Sequence, residues 1–247
     1  MGIKRTFYDP KGKVISKERF IEFYSDAYYI QNSQYIEENI EEILYNGINT
    51  KMDIINILAW KIGKIKHLES QTNGEYVYYS DWAETIETNP NQVKYRGKEM
   101  HLKPFLENIE KDKERLEKFV TGSNEDDPQE VLNQLNSYLG NTVGIGTVYL
   151  VTLLYFISKG RYPIYDRFAQ MAVTAIKNDN KPNSEKNKVS YKELPDRMNQ
   201  GKFKKIVENN LRSYWTDIDD IFGIDKYQEN RNIDRALWVY GHLFYSG

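Results

Sequence analysis

The sequence predicts a mostly α-helical protein that forms one unit over residues 1–247. Along most of the chain, apolar residues recur at the three- and four-residue spacings of half-buried helices. Strand signals are few and fit at most a small β-hairpin element. With 247 residues, 40% of them hydrophobic, the chain is long and apolar enough for a substantial core. Two subdomains that flank a central cleft are an alternative arrangement within this unit.

The first three helices follow from apolar stripes near the N-terminus. Ser16 is a good capping residue, and the helical face after it holds Phe20, Tyr24, Ala27 and Tyr28. A second helical face is formed by Ile36, Ile40, Ile43 and Leu44. We expect the glutamates at 37, 38, 41 and 42 to face solvent. The segment 51–65 is apolar enough to be a central third helix.

Two short segments carry the turn residues of β-hairpins. Asp9-Pro10 lies inside FYDPKGKVI, and Asn73-Gly74 precedes the aromatic run EYVYY. These segments account for the predicted β element.

Helical spacing returns in the second half of the chain. A long half-buried helix is predicted over 97–120, and Asp127 followed by Pro128 marks the start of the next one. Further helices are predicted over the apolar run 148–157 and over 168–176. The last two stripes cover 203–221, with an interruption near Trp215, and 233–244. Between the helix over 168–176 and the stripe over 203–221, residues 178–190 include one apolar residue in thirteen and are predicted to be a solvent-exposed loop.

The composition excludes several functional classes. The chain has no cysteine, which rules out a disulfide scaffold, a thiol nucleophile and any cysteine-ligated zinc or iron–sulfur centre. The longest run of apolar residues and threonine, 148–157, has ten residues, whereas a membrane span needs about 20. The N-terminus lacks the apolar stretch of a signal peptide, so we expect a cytoplasmic protein without a membrane partner. The three histidines show no metal-ligand spacing.

A glycine-rich turn precedes the most apolar helix. Gly144, Ile145 and Gly146 form this turn, and Thr147 follows at the start of the helix. Two glycines let the backbone approach a ligand closely, and the free amides at a helix start bind anions such as phosphate. The turn therefore predicts binding to the phosphates of a nucleic-acid backbone, independent of base sequence. An ordinary turn between two helices is the alternative interpretation.

An aspartate heads the next helix. Gly160 is expected to end the apolar helix, and Pro163 keeps the residue before it extended. Asp166 then stands at the N-terminus of the helix over 168–176. Aspartate is a common helix cap, so a purely structural role is one interpretation. The other is that the fixed carboxylate stabilises positive charge or orients a water molecule.

This order of features resembles the helix-hairpin-helix DNA glycosylase superfamily, which contains endonuclease III and the adenine and 8-oxoguanine glycosylases. Its members have a Gly-hydrophobic-Gly hairpin, an apolar helix, a Pro-containing loop and an essential Asp that heads the next helix. Asp166 follows Gly146 by 20 residues, close to the separation in that family. The motifs cover 131–176, and the remainder of the chain shares only helical character.

The resemblance implies a hydrolase of base-excision repair that removes a damaged or mismatched base from DNA. Asp166 would be its catalytic residue, and the hairpin would bind phosphate. Bifunctional members carry a lysine where this chain has Val148, so the resemblance implies a monofunctional enzyme. Two other departures are Val143 in place of a proline, and Arg167 and Phe168 after the aspartate. No cofactor is implied, although the resemblance allows a monovalent cation at the hairpin.

A glycosylase flips its target base out of the duplex into a pocket. The candidates for lining that pocket are the tryptophans Trp60, Trp82, Trp215 and Trp238. Between 159 and 188, seven Lys or Arg residues outnumber three acidic ones, and Arg161 and Arg167 are the candidate phosphate ligands beside the Asp166 loop. Most aromatic residues of any chain lie in its core, and a basic loop is often only solvated, so both assignments have structural alternatives.

Three functional hypotheses remain open at this point. The first is a DNA glycosylase, the second a non-enzymatic helix-hairpin-helix DNA-binding protein, and the third an α-helical interaction protein without a nucleic-acid role. A pocket lined by aromatic residues beside Asp166 favours the enzyme. A filled pocket with a basic hairpin face favours the binding protein, and an acidic or covered hairpin favours the third hypothesis.

Overall fold

Helices make up most of the secondary structure in the computed structural model. The structure describes residues 5–30, 34–61, 65–69, 76–80, 93–95, 98–100, 102–121, 128–139, 146–190, 192–193, 211–223 and 231–246. Nine α-helices lie within these ranges, which confirms the mostly α-helical fold class. Among the same residues, no helix is both long and apolar enough to cross a membrane.

The helices follow the apolar stripes of the sequence. In chain order they are α1 (Lys17–Tyr28), α2 (Gln34–Asn46), α3 (Lys51–Lys61), α4 (Leu102–Thr121), α5 (Pro128–Leu139), α6 (Thr147–Ile157), α7 (Arg167–Lys177), α8 (Arg212–Phe222) and α9 (Asn232–His242). The Ser16 hydroxyl accepts a hydrogen bond of 3.1 Å from the Arg19 amide, so the predicted cap of α1 is confirmed. Pro128 is the first residue of α5, as predicted.

Three antiparallel strand pairs accompany the helices. They are β1 (Phe7–Tyr8) with β2 (Val14–Ile15), β3 (Ile65–Glu69) with β4 (Tyr76–Ser80), and β5 (Val93–Tyr95) with β6 (Lys98–Met100). In the first turn, the Asp9 carboxylate accepts hydrogen bonds from the amides of Lys11 and Lys13. The first two pairs occur where hairpins are predicted. The third is not predicted, because the stripe of the following helix extends back to Gly97.

Three predicted helix limits are wrong. α3 ends at Lys61, and Ile65 instead opens β3, since a short apolar run fits a strand as well as a helix. α4 begins at Leu102, after β6, and not at Gly97. α8 continues without interruption through Trp215, whose side chain is buried on the inner face of the helix.

One hydrophobic core connects the helices. α9 packs against both α1 and α7, whereas α6 packs against α3 and α5. Tyr240 of α9 meets Phe20 and Tyr24 of α1, with ring centroids 5.0 and 5.1 Å apart. Leu150 to Ile157 of α6 are all buried, so the longest apolar run of the sequence is a central helix of the core.

Residues 178–190 connect α7 to the chain before α8. They contain one 3-10 turn (Glu185–Asn187), and their side chains are exposed or half-buried except for Pro182. The Val189 amide donates to the Phe244 carbonyl at 2.8 Å, and the Ser246 amide donates to the Val189 carbonyl at 3.0 Å. The connection is thereby attached to the residues that follow α9.

Glu37 is buried, so the prediction that all four glutamates of α2 face solvent is wrong. Only 2% of Glu37 is exposed, and its carboxylate forms ion pairs with Arg231 and Arg235. It also accepts hydrogen bonds from the Trp60 indole at 2.8 Å and the Tyr28 hydroxyl at 3.1 Å. Glu37 is in helical phase with the buried Ile40 and Leu44, which is the signal in the sequence for its inward position.

The two arginines are buried with their partners at the start of α9. Arg231 also pairs with Asp234 at 3.0 Å, and Arg235 pairs with Glu41 at 2.9 Å. The Arg231 guanidinium lies 4.3 Å from the centre of the Trp60 ring. Buried charges persist only where they are paired, so this network fixes the start of α9 against α2 and α3.

Candidate active site

The loop between α6 and α7 begins with a sharp reversal. The Gly160 amide donates to the Tyr155 carbonyl at 2.8 Å, and Gly160 has φ +85°. Glycine takes this left-handed conformation without steric cost, and it ends α6 as predicted. Lys159 just before it also has a positive φ, +49°.

Two side chains of α8 hold the Pro163 loop in place. The Trp215 indole donates to the Pro163 carbonyl at 3.0 Å, and the Tyr214 hydroxyl donates to the Ile164 carbonyl at 3.2 Å. The Tyr162 ring lies 4.8 Å from the Trp215 ring. Complete burial raises the pKa of the Tyr214 phenol well above its usual value, so the hydroxyl keeps the proton that it donates. These hydrogen bonds therefore hold the loop before α7 in one conformation.

Asp166 caps α7. Its Oδ1 accepts a hydrogen bond of 2.8 Å from the Phe168 amide, and its own backbone is extended. The side chain is half-buried, and among the described residues no donor is bonded to Oδ2. One carboxylate oxygen thus fixes the group while the other remains available.

An aromatic cluster lies directly beside this cap. It consists of Phe168, Trp238, His242 and Tyr245. The Phe168 and His242 rings are stacked with centroids 3.5 Å apart, and the Trp238 ring lies 4.0 Å from His242 on a tilted plane. We refer to these four residues as the α7–α9 aromatic cluster.

Gly241 allows the helices of this cluster to meet. A Cβ at this position would lie 1.9 Å from the Phe168 carbonyl oxygen, which is closer than atoms can approach. The absence of a side chain at Gly241 therefore brings the end of α9 against the first turn of α7. His242 is the next residue, and it is placed near Asp166 by this contact.

The hairpin is described only from Gly146 onward. Gly144 and Ile145 lie outside the described residues. Gly146 has an ordinary extended backbone and caps α6, and a Cβ there would meet nothing within 4 Å. The backbone does not require glycine at this point, so the missing side chain leaves open space at the start of α6. Thr147 is completely buried, so a phosphate at this turn would meet Gly146 and not the Thr147 side chain.

The two candidate arginines flank the Asp166 loop. Arg161 is half-buried, with its guanidinium 5.7 Å from the centre of the Tyr162 ring. Arg167 is the first residue of α7 and is also half-buried. Both lie within five residues of Asp166 along the chain.

The tryptophans occupy different environments. Trp238 lies in the α7–α9 aromatic cluster, next to the cap of α7. Trp60 donates to Glu37 in the buried ionic network, and Trp215 is buried against the Pro163 loop. Trp82 lies outside the described residues. Trp238 is therefore the base-pocket candidate that the described structure brings close to Asp166.

His242 is a potential functional residue that the sequence analysis does not single out. Burial holds the pKa of its imidazole below the usual value, while the Trp238 carbonyl and the Asp166 charge act in the opposite direction. Its stacking partner Phe168 lies in α7, far away in sequence, and a lone histidine without metal-ligand spacing carries no signal of such a contact. Among the described residues, no three histidine or acidic side chains are grouped to hold a metal ion.

Comparisons with protein-family models, with curated proteins and with solved structures found no match to this chain.

Proposed function

We propose that the protein is a monofunctional DNA glycosylase of the helix-hairpin-helix type, which hydrolyses the N-glycosidic bond of a damaged or mismatched base. The proposal is supported by the order of motifs in 131–176 and by the surroundings of Asp166. The placement of Asp166 carries most weight, because its carboxylate is fixed at the head of α7 and retains an oxygen for chemistry.

Departure of a base leaves positive charge on the deoxyribose, as in the oxocarbenium-like transition state of sugar hydrolysis. A carboxylate already held in place stabilises that charge without a cost of reorientation. The Phe168 amide holds Asp166, and the clamp from Tyr214 and Trp215 holds the loop before it. These contacts give the site the rigid support that such electrostatic catalysis needs.

DNA would be held through its phosphates at the start of α6. The open space at Gly146 admits a phosphate oxygen to the helix N-terminus, where free amides and the helix dipole favour an anion. Arg161 and Arg167 add positive charge before and after Asp166 in the chain. Trp238 is the proposed aromatic contact for the flipped base.

A panel of duplexes tests the proposed activity. Each duplex carries one oxidised, deaminated, alkylated or mismatched base and is incubated with the full chain. We expect base release from at least one duplex, with the strand remaining uncut until alkali cleaves the abasic site, because Val148 supplies no amine for a lyase step. Absence of base release from every duplex would reject the proposed activity.

A non-enzymatic DNA-binding protein is the second candidate. The α7–α9 aromatic cluster is packed on itself, with the Phe168 ring stacked on His242 and the Trp238 ring 4.0 Å from it, and a filled pocket favours binding without chemistry. In that case the same duplexes would be bound in a salt-dependent manner with no base released.

A further inference from the structure

His242 is held in one orientation and one tautomer. Phe168 covers one side of its ring, and Trp238 lies against it from the preceding turn of α9. Its Nδ1 lies 2.7 Å from the Trp238 carbonyl oxygen, and because a carbonyl only accepts, Nδ1 must carry the proton. The lone pair of the neutral ring is then on Nε2, which has no hydrogen-bond partner among the described residues.

Two contacts of Phe168 place His242 beside Asp166. Phe168 donates its amide to the Asp166 carboxylate and stacks its ring on His242, so one residue touches both groups. The close approach of Gly241 to the Phe168 carbonyl brings α9 to this point. The negative charge of Asp166 raises the pKa of His242, but the larger effect of burial lowers it, so the imidazole is neutral near pH 7.

We propose that His242 is the proton acceptor of this site, paired with Asp166, and that its Nε2 removes a proton from the attacking water. This inference rests on the proposed glycosidic hydrolysis. The water oxygen bonds to C1′ of the sugar, and the C1′–N bond breaks with its electron pair leaving on the base. One water proton passes to Nε2, and solvent protonates the departing base. The imidazolium then returns its proton to solvent.

The two groups divide the chemistry between them. Asp166 acts on the sugar cation through its charge, whereas a proton acceptor must be unprotonated before the reaction, and the lowered pKa of His242 keeps its imidazole neutral at pH 7. The charged groups around the imidazole are Asp166 and the adjacent Arg167 at the head of α7, and Lys188, whose ammonium donates to the Leu243 carbonyl.

An NMR titration of the full chain tests the pairing without any substrate. The chain has three histidines, so His242→Gln identifies the signal of His242. We expect a lower pKa of His242 in Asp166→Asn than in the wild type, because the substitution removes the carboxylate charge. Asp179→Asn is the matched control at the other end of α7, and it should give the smaller shift. An equal pKa in the wild type and Asp166→Asn would overturn the pairing.

Single-turnover kinetics test the chemical role. His242→Asn keeps an N–H group at the position of Nδ1 and loses Nε2, so it preserves the bond to the Trp238 carbonyl. We expect the rate of base release to fall by about 10²-fold or more, a typical loss for a general base. In the wild type the rate of base release should fall at acidic pH as His242 becomes protonated, and this fall should be absent in His242→Asn. A purely structural role of His242 would leave the fall in place.

The outcomes separate this inference from the proposed function. A wild-type rate in a folded His242→Asn variant would overturn the proton-acceptor role while leaving the glycosylase activity intact. A wild type that releases no base from any duplex would reject the function, and the titration would then decide separately whether the Asp166–His242 pair exists.

Discussion

At the level of single residues, Asp166 combines a structural and a chemical capacity. Capping uses Oδ1, which accepts from the Phe168 amide, and leaves Oδ2 without a bonded donor among the described residues. A cap also prevents the side chain from rotating, which is a requirement for electrostatic stabilisation of a transition state. The structural role therefore supports the proposed chemical one.

The buried imidazole of His242 predicts a pH dependence of stability. Its pKa in the folded chain is below the ordinary value of 6.5, so the unfolded chain binds a proton more readily. The contribution of His242 is fully present above pH 6.5 and is lost as the pH falls through the folded-state pKa. We expect the wild type to lose more unfolding free energy between pH 7.5 and pH 5.5 than His242→Gln. Chemical denaturation of both proteins at the two pH values measures the difference, and equal losses would contradict it.

At the level of helices, the contact of α9 with α7 depends on Gly241. A methyl group at this position would overlap the Phe168 carbonyl oxygen. We expect Gly241→Ala to lower the free energy of unfolding by about 1–3 kcal/mol, since the helices must separate. Gly146→Ala is the matched control, because nothing lies within 4 Å of its added carbon, and the loss of a good N-cap residue should make its effect the smaller of the two. Equal stability of the two variants in urea would contradict the close approach.

The start of α6 predicts how DNA binding responds to a side chain at Gly146. Gly146→Phe fills the open space where a phosphate would approach the helix, while Gly146→Ala fills little of it. We expect the Phe variant to bind unrelated duplex sequences more weakly by a similar factor, because phosphate contacts carry no sequence information. Fluorescence anisotropy with several duplexes measures the affinity of each variant. A folded Phe variant with wild-type affinity would show that the hairpin is only a turn.

The sequence predicts elements better than contacts between them. The positions of α1, α5 and α6 follow from local caps and apolar spacing, and Asp166 is found as the cap after a proline loop. The strand pair β5–β6 is missed, because three-residue strands show too little alternation to be recognised and β6 falls inside the helix predicted over 97–120. His242 and Glu37 are missed as partners since each one meets residues that are distant in sequence, Phe168 and Arg231 respectively.

At the level of the whole molecule, the buried ionic network ties α2 and α3 to the start of α9. Glu37 carries the negative charge that both Arg231 and Arg235 contact. We expect Glu37→Gln to destabilise the fold by about 3 kcal/mol or more, because it leaves buried guanidinium groups without full compensation. Glu38→Gln is the control on the same helix, since Glu38 is exposed, and it should change little. Equal melting temperatures for the two variants would contradict this role of the network.

The same network affects the proposed active site from a distance. α9 begins in the ionic network at Arg231 and ends at His242, beside the cap of α7. The helix that carries Trp238 and His242 is therefore fixed at both of its ends. Between its two ends, α9 packs against α1 and α7 in the hydrophobic core.

The central claim is that the charge of Asp166 serves catalysis as well as capping. Asp166→Asn removes the charge and keeps a good helix cap, so the free energy of unfolding should fall by no more than about 1 kcal/mol. Asp179→Asn removes the same charge at the far end of α7 and serves as the control. The decisive measurement is the single-turnover rate of base release on a duplex from which the wild type removes the base. We predict a loss of at least ~10²-fold for Asp166→Asn and a wild-type rate for Asp179→Asn. A wild-type rate in a folded Asp166→Asn variant would contradict the claim and leave Asp166 as a cap alone.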